Sequence, residues 1–272
     1  MTDRYAVIGN PVAHSRSPQI HAAFARECGE DIQYERLLAK PTGFVETVEA
    51  FRIDGASGAN VTLPFKLEAF AYAGVRTARA RRGKSVNTLQ FEKNRIVGDN
   101  TDGVGLCRDI ERNIGQPLEG SRILLIGAGG AARAVVGALL DCRPEILAIT
   151  NRTPAKAQSI VDEFDAKKIF CAVGLAELPS RRFDVLINAT SASLTASLPM
   201  VPSSCFEKKA LAYDMMYGIG LTPFLTLAAS TGARTADGLG MLVEQAAEAF
   251  FVWRGTRPST GSVLKLLKQD SQ

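Results

Sequence analysis

Short runs of β-branched and aliphatic residues alternate with amphipathic segments from one end of this chain to the other, and that alternation leaves few architectures open. Strands separated by helical stretches are joined by crossovers, which lay helices on the faces of a mostly parallel sheet. The pattern predicts strands over residues 5–9, 34–38, 59–63, 122–127, 145–150, 185–189 and 210–215. Helices are expected at 43–51, 65–72, 103–114, 131–142, 154–164 and 238–253. Another should begin at Ser17, with that serine as N-cap and Pro18 at the first helical position. Residues 86–97 read as a hairpin around Glu92-Lys93-Asn94.

The chain has 272 residues, enough for two ordinary domains, and its 46% hydrophobic and 22% charged residues are globular values. A net charge of +4, spread over 32 basic and 28 acidic residues, is too mild and too scattered for a nucleic-acid partner. The local run from Arg76 to Lys84 has no interleaved aromatics to stack on bases, and reads as a solvated helix face. Cys28, Cys107, Cys142, Cys171 and Cys205 have neither metal-ligand nor disulfide-framework spacing, so no metal is expected, and they read as small buried side chains in a reducing compartment. No signal peptide is read at the N-terminus, and apolar stretches such as 246–253 fall far short of the roughly 18 residues a bilayer span needs. A cytoplasmic protein without membrane contact is the expectation.

The strand ending at Ile126 runs into Gly127-Ala128-Gly129-Gly130-Ala131-Ala132, a G-x-G-x-x-A turn that opens a helix. In that strand–turn–helix context the glycines allow a tight turn and close approach of a pyrophosphate, Ala132 allows close helix–strand packing, and the helix N-terminus offers free N–H groups to phosphate. A site for NAD places an acidic residue about 20 positions further on, to take the ribose 2′-hydroxyl. Here the next strand ends in Asn151-Arg152-Thr153, with Lys156 one turn later. A guanidinium there makes charge-assisted hydrogen bonds to a 2′-phosphate, so NADP is favoured over NAD. Thr153 is also placed to cap the following helix.

Polar clusters recur in the first half where strands hand over to helices, the place ligands occupy in open parallel sheets. They are Gly9-Asn-Pro-Val-Ala-His14-Ser15-Arg-Ser17-Pro18, Asn60-Val-Thr62-Leu-Pro64-Phe-Lys66, Asn87-Thr88 and Asp99-Asn100-Thr101-Asp102-Gly103. The second half adds Asn188-Ala-Thr190-Ser191, Asp214-Met215-Met-Tyr217, Thr222-Pro223-Phe and Asp237-Gly238-Leu-Gly240-Met241 through Gln245. Taken together and in this order, the clusters closely resemble the shikimate dehydrogenase family over essentially the whole chain.

The resemblance implies an α/β protein of two domains that share a cleft. An N-terminal, mainly parallel substrate domain would span residues 1–103 and be completed by 238–272, and a Rossmann-type NADP-binding domain would span 104–237. It implies that Ser15 and Ser17 hold a substrate carboxylate with Thr62 and Tyr217 nearby, and that Asn60, Asn87, Asp102 and Gln245 bind ring hydroxyls. Lys66 and Asp102 would be the catalytic pair. The cofactor would meet Gly127 to Ala131, Asn151, Arg152, Thr153, Lys156, Thr190, Ser191, Met215, Gly238 and Met241. The activity implied is NADP-dependent, reversible reduction of 3-dehydroshikimate to shikimate, in aromatic amino acid biosynthesis, by a monomer or homodimer.

Elementary chemistry agrees with those roles. Hydride delivery to a ketone leaves charge developing on oxygen, which needs a positioned cation or proton donor. Lys66 is such a group, although a lysine after Pro-Phe is, taken alone, an ordinary exposed side chain. Burial would lower its pKa and a neighbouring carboxylate would raise it, so proton transfer and simple charge stabilisation both stay open. His14 reads as a loop residue and His21 as a helix residue near the domain interface, neither catalytic. Three positions depart from the family pattern: Ser193 where glycine is frequent, Lys84-Ser85 in place of Gly-Ala, and Gly218-Ile219 after Tyr217. Lys84 is expected to point outward. Two rival readings are a dehydrogenase of quinate and shikimate with relaxed cofactor use, and an NADP-sensing module without turnover.

Overall fold

The computed structural model describes residues 2–190, 201–218 and 220–269. The chain divides into two compact units, one made of Met1–Gly105 with Leu242–Gln272 and the other of Leu106–Met241. Each is built on its own six-stranded sheet.

In the first unit the strands are β1 (Asp3–Gly9), β2 (Ile32–Leu38), β3 (Gly58–Val61), β4 (Val75–Arg76), β5 (Thr88–Glu92) and β6 (Arg95–Asp99), ordered β2-β1-β3-β5-β6-β4. β1 runs parallel to β2 and to β3, while β5 and β6 form the antiparallel hairpin read from the sequence. The helices are α1 (Ser17–Cys28), α2 (Phe44–Ile53), α3 (Lys66–Tyr72) and α4 (Ala78–Gly83). α5 (Asp102–Arg108) carries the chain toward the second unit. Helix α1 starts one residue earlier than its predicted cap implies: Arg16 is the N-cap, and Ser17 is the first helical residue, its N–H received by Ser15 Oγ at 3.3 Å. The short hydroxyl of Ser15 reaches that orphan donor, so Ser17 is not needed as a cap.

The basic run is also not uniformly solvated. Arg79, on α4, turns inward and binds both oxygens of buried Asp99 at 2.6 and 2.7 Å, and Glu248 at 2.7 Å. Two buried carboxylates require a partner of opposite charge, and this arginine supplies it. Lys84, by contrast, is exposed at the left-handed C-cap of α4.

The second unit is fully parallel, with β7 (Arg122–Ile126), β8 (Ile146–Thr150), β9 (Phe170–Ala172), β10 (Phe183–Asn188), β11 (Phe206–Asp214) and β12 (Arg234–Ala236) in the order β9-β8-β7-β10-β11-β12. Reading out from β7, the order is that of a doubly wound dinucleotide-binding sheet. β7 is the central strand and is covered on both faces, which is why Ile123, Leu124, Leu125 and Ile126 form an unbroken apolar run. α6 (Gly130–Asp141) follows it, burying Ala132, Val135, Val136 and Leu139. α7 (Pro154–Asp162) and α8 (Pro223–Ser230) complete the layers. Thr153 is the N-cap of α7 but makes no side-chain cap bond there.

The chain re-enters the first unit within α9 (Leu239–Arg254) and ends in α10 (Gly261–Gln269). There the Trp253 indole donates to Leu89 O at 3.0 Å, and Phe250 meets Phe24 edge to face. His21 is a core residue of this unit: its ring is fully buried and lies 4.3 Å from the Tyr34 ring, parallel within 6°. Of the five cysteines, Cys107 and Cys205 are buried and the other three only partly so. Cys107 and Cys142, distant in sequence, share a thiol hydrogen bond.

Candidate active site

The ends of β3, β5 and β6 bring most of the predicted substrate residues of the first unit together. Lys66 opens α3, directly after the strand-to-helix turn that follows β3, and its Nζ donates to Asp102 Oδ2 at 2.7 Å. The lysine side chain is 23% exposed and the aspartate 8%, so the cation is reachable while its partner is held. The segment Asp99 to Asp102 is fixed by its own side chains. Asn100 Oδ1 accepts from Asp102 N at 3.0 Å, and Asn100 Nδ2 donates to Ser85 O at 3.1 Å. Asp102 is thereby placed as the first residue of α5 with its carboxylate turned toward Lys66.

Asn87 is the hub. Its Oδ1 accepts from Thr101 N at 2.9 Å, which fixes the orientation of the amide. Its Nδ2 then donates to Asp102 Oδ1 at 2.8 Å, and to Gln245 Oε1 at 3.3 Å. Gln245 is itself anchored by Nε2 on Leu242 O at 2.8 Å. Asn60 lies on the far side of this group, donating to Asn87 O and Thr88 Oγ1, both at 3.1 Å.

At the other end of the group, Ser15 Oγ donates to Ser17 Oγ at 3.2 Å, and both serines are buried. Thr62 is partly buried in the turn after β3, where its N–H donates to Ile8 O at 2.9 Å. Tyr217 belongs to the second unit, beyond β11, and is partly buried. His14 is exposed, and His21 is locked among aromatic rings behind Asn60.

Two residues that the sequence reading passed over stand beside it. Tyr34 and Arg36 alternate on β2 and so share one face of the strand. Tyr34 Oη donates to Asn60 Oδ1 at 2.7 Å. Arg36 clamps the Ser15 carbonyl with Nε at 2.8 Å and Nη2 at 2.6 Å. Their signal in the sequence is the two-residue spacing of an aromatic and a cation on a strand pairing with β1.

In the second unit the glycine turn has the form that a dinucleotide requires. Gly127 adopts φ 107°, and a Cβ there would lie 2.9 Å from Thr190 Cγ2. At Gly129 and Gly130 a Cβ would meet nothing within 4 Å, so the surface beside them is open to a pyrophosphate. α6 begins without a side-chain cap and without an acidic residue in its first turn, which leaves its N–H groups for an anion. These residues fit the group. Arg152 and Lys156 are exposed, as a 2′-phosphate contact requires, and Asn151 Nδ2 fixes the Thr153 carbonyl at 3.0 Å.

Thr190 is tied to Asn188 Oδ1 through both N–H and hydroxyl, and Asn188 Nδ2 to Asp214 at 3.1 Å. Asp214 in turn receives Met216 N and the Thr222 hydroxyl, which braces the loop bearing Met215. Gly238 lies against Met215, where a Cβ would come 2.2 Å from its carbonyl. A Cβ on Gly240 would come 1.9 Å from buried Asp109, which also accepts from Tyr213 Oη at 2.7 Å. The N–H of Met241 donates to that tyrosine oxygen. The predicted contact at Ser191 and the departure at Ser193 lie outside the described residues. Among the described residues no cluster of three or more His, Cys, Asp or Glu could hold a metal ion.

Three family descriptions match successive parts of the chain. The shikimate dehydrogenase substrate binding domain matches residues 7–89, shikimate/quinate 5-dehydrogenase matches 109–210, and the shikimate 5′-dehydrogenase C-terminal domain matches 238–268. The chain belongs to the shikimate dehydrogenase family. A shikimate dehydrogenase (NADP(+)) from Nitrosospira multiformis is 55% identical, over 98% of both chains. The one from Chromobacterium violaceum is 52% identical, over 99% of both. Among solved structures, an Ael1 enzyme from Pseudomonas putida superposes with a TM-score of 0.94 at 47% identity over 98% of each chain. The shikimate 5-dehydrogenase of Thermus thermophilus, in complex with NADP(H) and shikimate, superposes with a TM-score of 0.88 at 33% identity and covers 100% of both. Family membership makes this an oxidoreductase, and among its described residues no helix is long and apolar enough to cross a membrane.

Proposed function

We propose that the protein catalyses the reversible, NADP-dependent reduction of 3-dehydroshikimate to shikimate, with the first unit holding the substrate and the second the cofactor. The observation that carries this reading is the Lys66–Asp102 pair, 2.7 Å apart and surrounded by Asn60, Asn87 and Gln245. Polar side chains of that density suit a polyhydroxylated ring. Ser15 and Ser17 would take the carboxylate, with Thr62 and Tyr217 beside it.

NADPH, when bound, supplies the hydride. The turn from Gly127 to Ala131 would receive its pyrophosphate, and Asn151, Arg152, Thr153 and Lys156 its adenosine 2′-phosphate end. Thr190, Ser191, Met215, Gly238 and Met241 would meet the nicotinamide end. As the substrate carbonyl becomes an alkoxide, the Lys66 ammonium stands ready to donate a hydrogen bond or a proton to that oxygen. Asp102 holds the ammonium in place, and its second oxygen, fixed by Asn87, keeps the carboxylate from rotating. In shikimate oxidation the same pair would accept the hydroxyl proton.

The free thiols of the described cysteines suit a cytoplasmic setting. Nothing at the site favours the alternative with quinate and relaxed cofactor use, since Arg152 stands where an NAD site carries a carboxylate. Purified protein given shikimate and NADP should produce NADPH, followed by its absorbance. NADPH binding without consumption of dehydroshikimate would leave only a binding module.

A further inference from the structure

Tyr34 has no part in the roles given above, yet its hydroxyl stands between the two halves of the substrate group. It accepts a hydrogen bond from the Ser17 side chain and donates to Asn60 Oδ1 at 2.7 Å. Its ring is held in register by the stacked His21 ring at 4.3 Å, and by β2, which pairs Tyr34 with Tyr5 of β1. Burial raises the phenol pKa well above its usual value, so the group stays a donor.

The direction of each bond in this chain is fixed by groups that cannot reverse. Asn87 O is a backbone carbonyl and only accepts, so the Asn60 nitrogen must face it and the Asn60 oxygen must face Tyr34. Both Nδ2 protons of Asn60 are then spent on Asn87 O and Thr88 Oγ1. Thr88, having accepted, donates to Asn87 Oδ1 at 2.9 Å, and Asn87 Nδ2 donates to Asp102 Oδ1 at 2.8 Å. Ser17, Tyr34, Asn60, Thr88 and Asn87 thus each donate to the next, and the sequence ends on the carboxylate that holds Lys66. A substrate carboxylate would take the Ser17 proton in place of Tyr34, while Asn60 would keep one lone pair of Oδ1 for a ring hydroxyl.

We propose that Tyr34 is a positioning residue that couples the carboxylate-holding serines to the catalytic pair, by donating to Asn60 Oδ1 and so steadying the face that Asn60 presents to substrate, at the head of the hydrogen bonds that end at Asp102. This rests on the substrate reading given above. Without the hydroxyl, Asn60 Oδ1 loses its donor from β2, while its nitrogen stays on the Asn87 carbonyl, so the side chain is held from one end alone and the face it offers a ring hydroxyl is less firmly placed.

The test is steady-state kinetics with shikimate and NADP on Tyr34→Phe, Thr88→Val and the double variant. Tyr34→Phe keeps the ring and its stacking. Its KM for shikimate should rise roughly 10-fold, with kcat lowered less and the KM for NADP unchanged, as for loss of one buried hydrogen bond. Groups acting through one chain are non-additive, so the double variant should be no worse than about the weaker single variant. Effects that multiply, or a Tyr34→Phe enzyme with unaltered KM for shikimate, would overturn the proposal. Should Tyr34→Phe fail to fold, Thr88→Val alone must give the same selective rise in shikimate KM, and its absence counts equally against the coupling. An unmodified protein inactive on shikimate would instead remove the substrate reading.

Discussion

The Lys66 ammonium and the Asp102 carboxylate meet at 2.7 Å, the lysine partly exposed and the aspartate almost enclosed. In the proposed reaction this asymmetry would divide the work, the enclosed group orienting and the reachable one meeting the substrate oxygen. Lys66→Met should therefore lower kcat by roughly 10²-fold or more, the size expected for lost acid or electrostatic help, with NADP affinity kept. Asp102→Asn should also lower kcat, because it leaves the ammonium without its anchor. Steady-state rates with cofactor titration check both, and wild-type turnover in Lys66→Met would remove the lysine from the chemistry.

Arg152 and Lys156 supply the exposed positive charge beside the end of β8. Arg152→Ala should raise the KM for NADP roughly 10-fold through loss of a charge-assisted contact, and should leave whatever rate NAD supports nearly unchanged. The NADP effect should shrink as salt is added, since exposed charges are screened. Equal losses with both cofactors would place the 2′-phosphate elsewhere.

His21 is completely buried, and desolvation pushes its pKa down to about 3, against a weaker opposing effect of the Asn60 amide. The folded protein thus holds a neutral imidazole where the unfolded chain takes up a proton near pH 6.5. Between pH 6.5 and about 3 the unfolded state binds the extra proton, so stability is complete above this window and lost as pH falls through it. The contribution is on the order of 1.4 kcal/mol per pH unit. Urea unfolding at a series of pH values should show the slope, and His21→Phe should flatten it by about one proton. An unchanged slope would mean that another group titrates.

Gly240 has no room for a side chain, because Asp109 occupies the place. Asp109 cannot yield easily, since it is buried and receives the Tyr213 hydroxyl. Gly240→Ala should destabilise the protein by roughly 1–3 kcal/mol, the usual range for forced overpacking, and should weaken NADP through displacement of the neighbouring Gly238 and Met241. Thermal melts with and without NADP read both effects. A variant as stable as the parent would show that the turn has slack.

The parts of the fold that the sequence made legible are those with one dominant physical cause. The run at 123–126 is apolar throughout because it lies in the middle of a covered sheet, and no other element type gives that signature next to a glycine turn. β4, β9 and β12 went unread, being two or three residues long and at sheet edges, too short for a period to register. Helices were expected over 238–272, but the bounds of α10 went unread, because its three buried residues, Val263, Leu264 and Leu267, alternate with lysines over little more than two turns.

Within the site, Lys66, Asn87 and Asp102 were readable from their place after strands and from the family pattern around them. Tyr34 and Arg36 were not, since a strand interior announces burial and not partners. Arg79 shows the opposite failure. It stands among solvated arginines, and its partners distant in sequence, Asp99 and Glu248, give it a buried role.

Because the first unit is assembled from two separate stretches of the chain, with Arg254 bonded to Asp3 and Glu30 and Trp253 to Leu89, it lacks its closing helix until the whole second unit has been made. The second unit is one uninterrupted stretch and is complete once Met241 has left the ribosome. The usual amino-to-carboxyl order of domain folding during synthesis is thus inverted. The stretch that is made first must wait, its aromatic core uncovered, for the helix that follows the second unit.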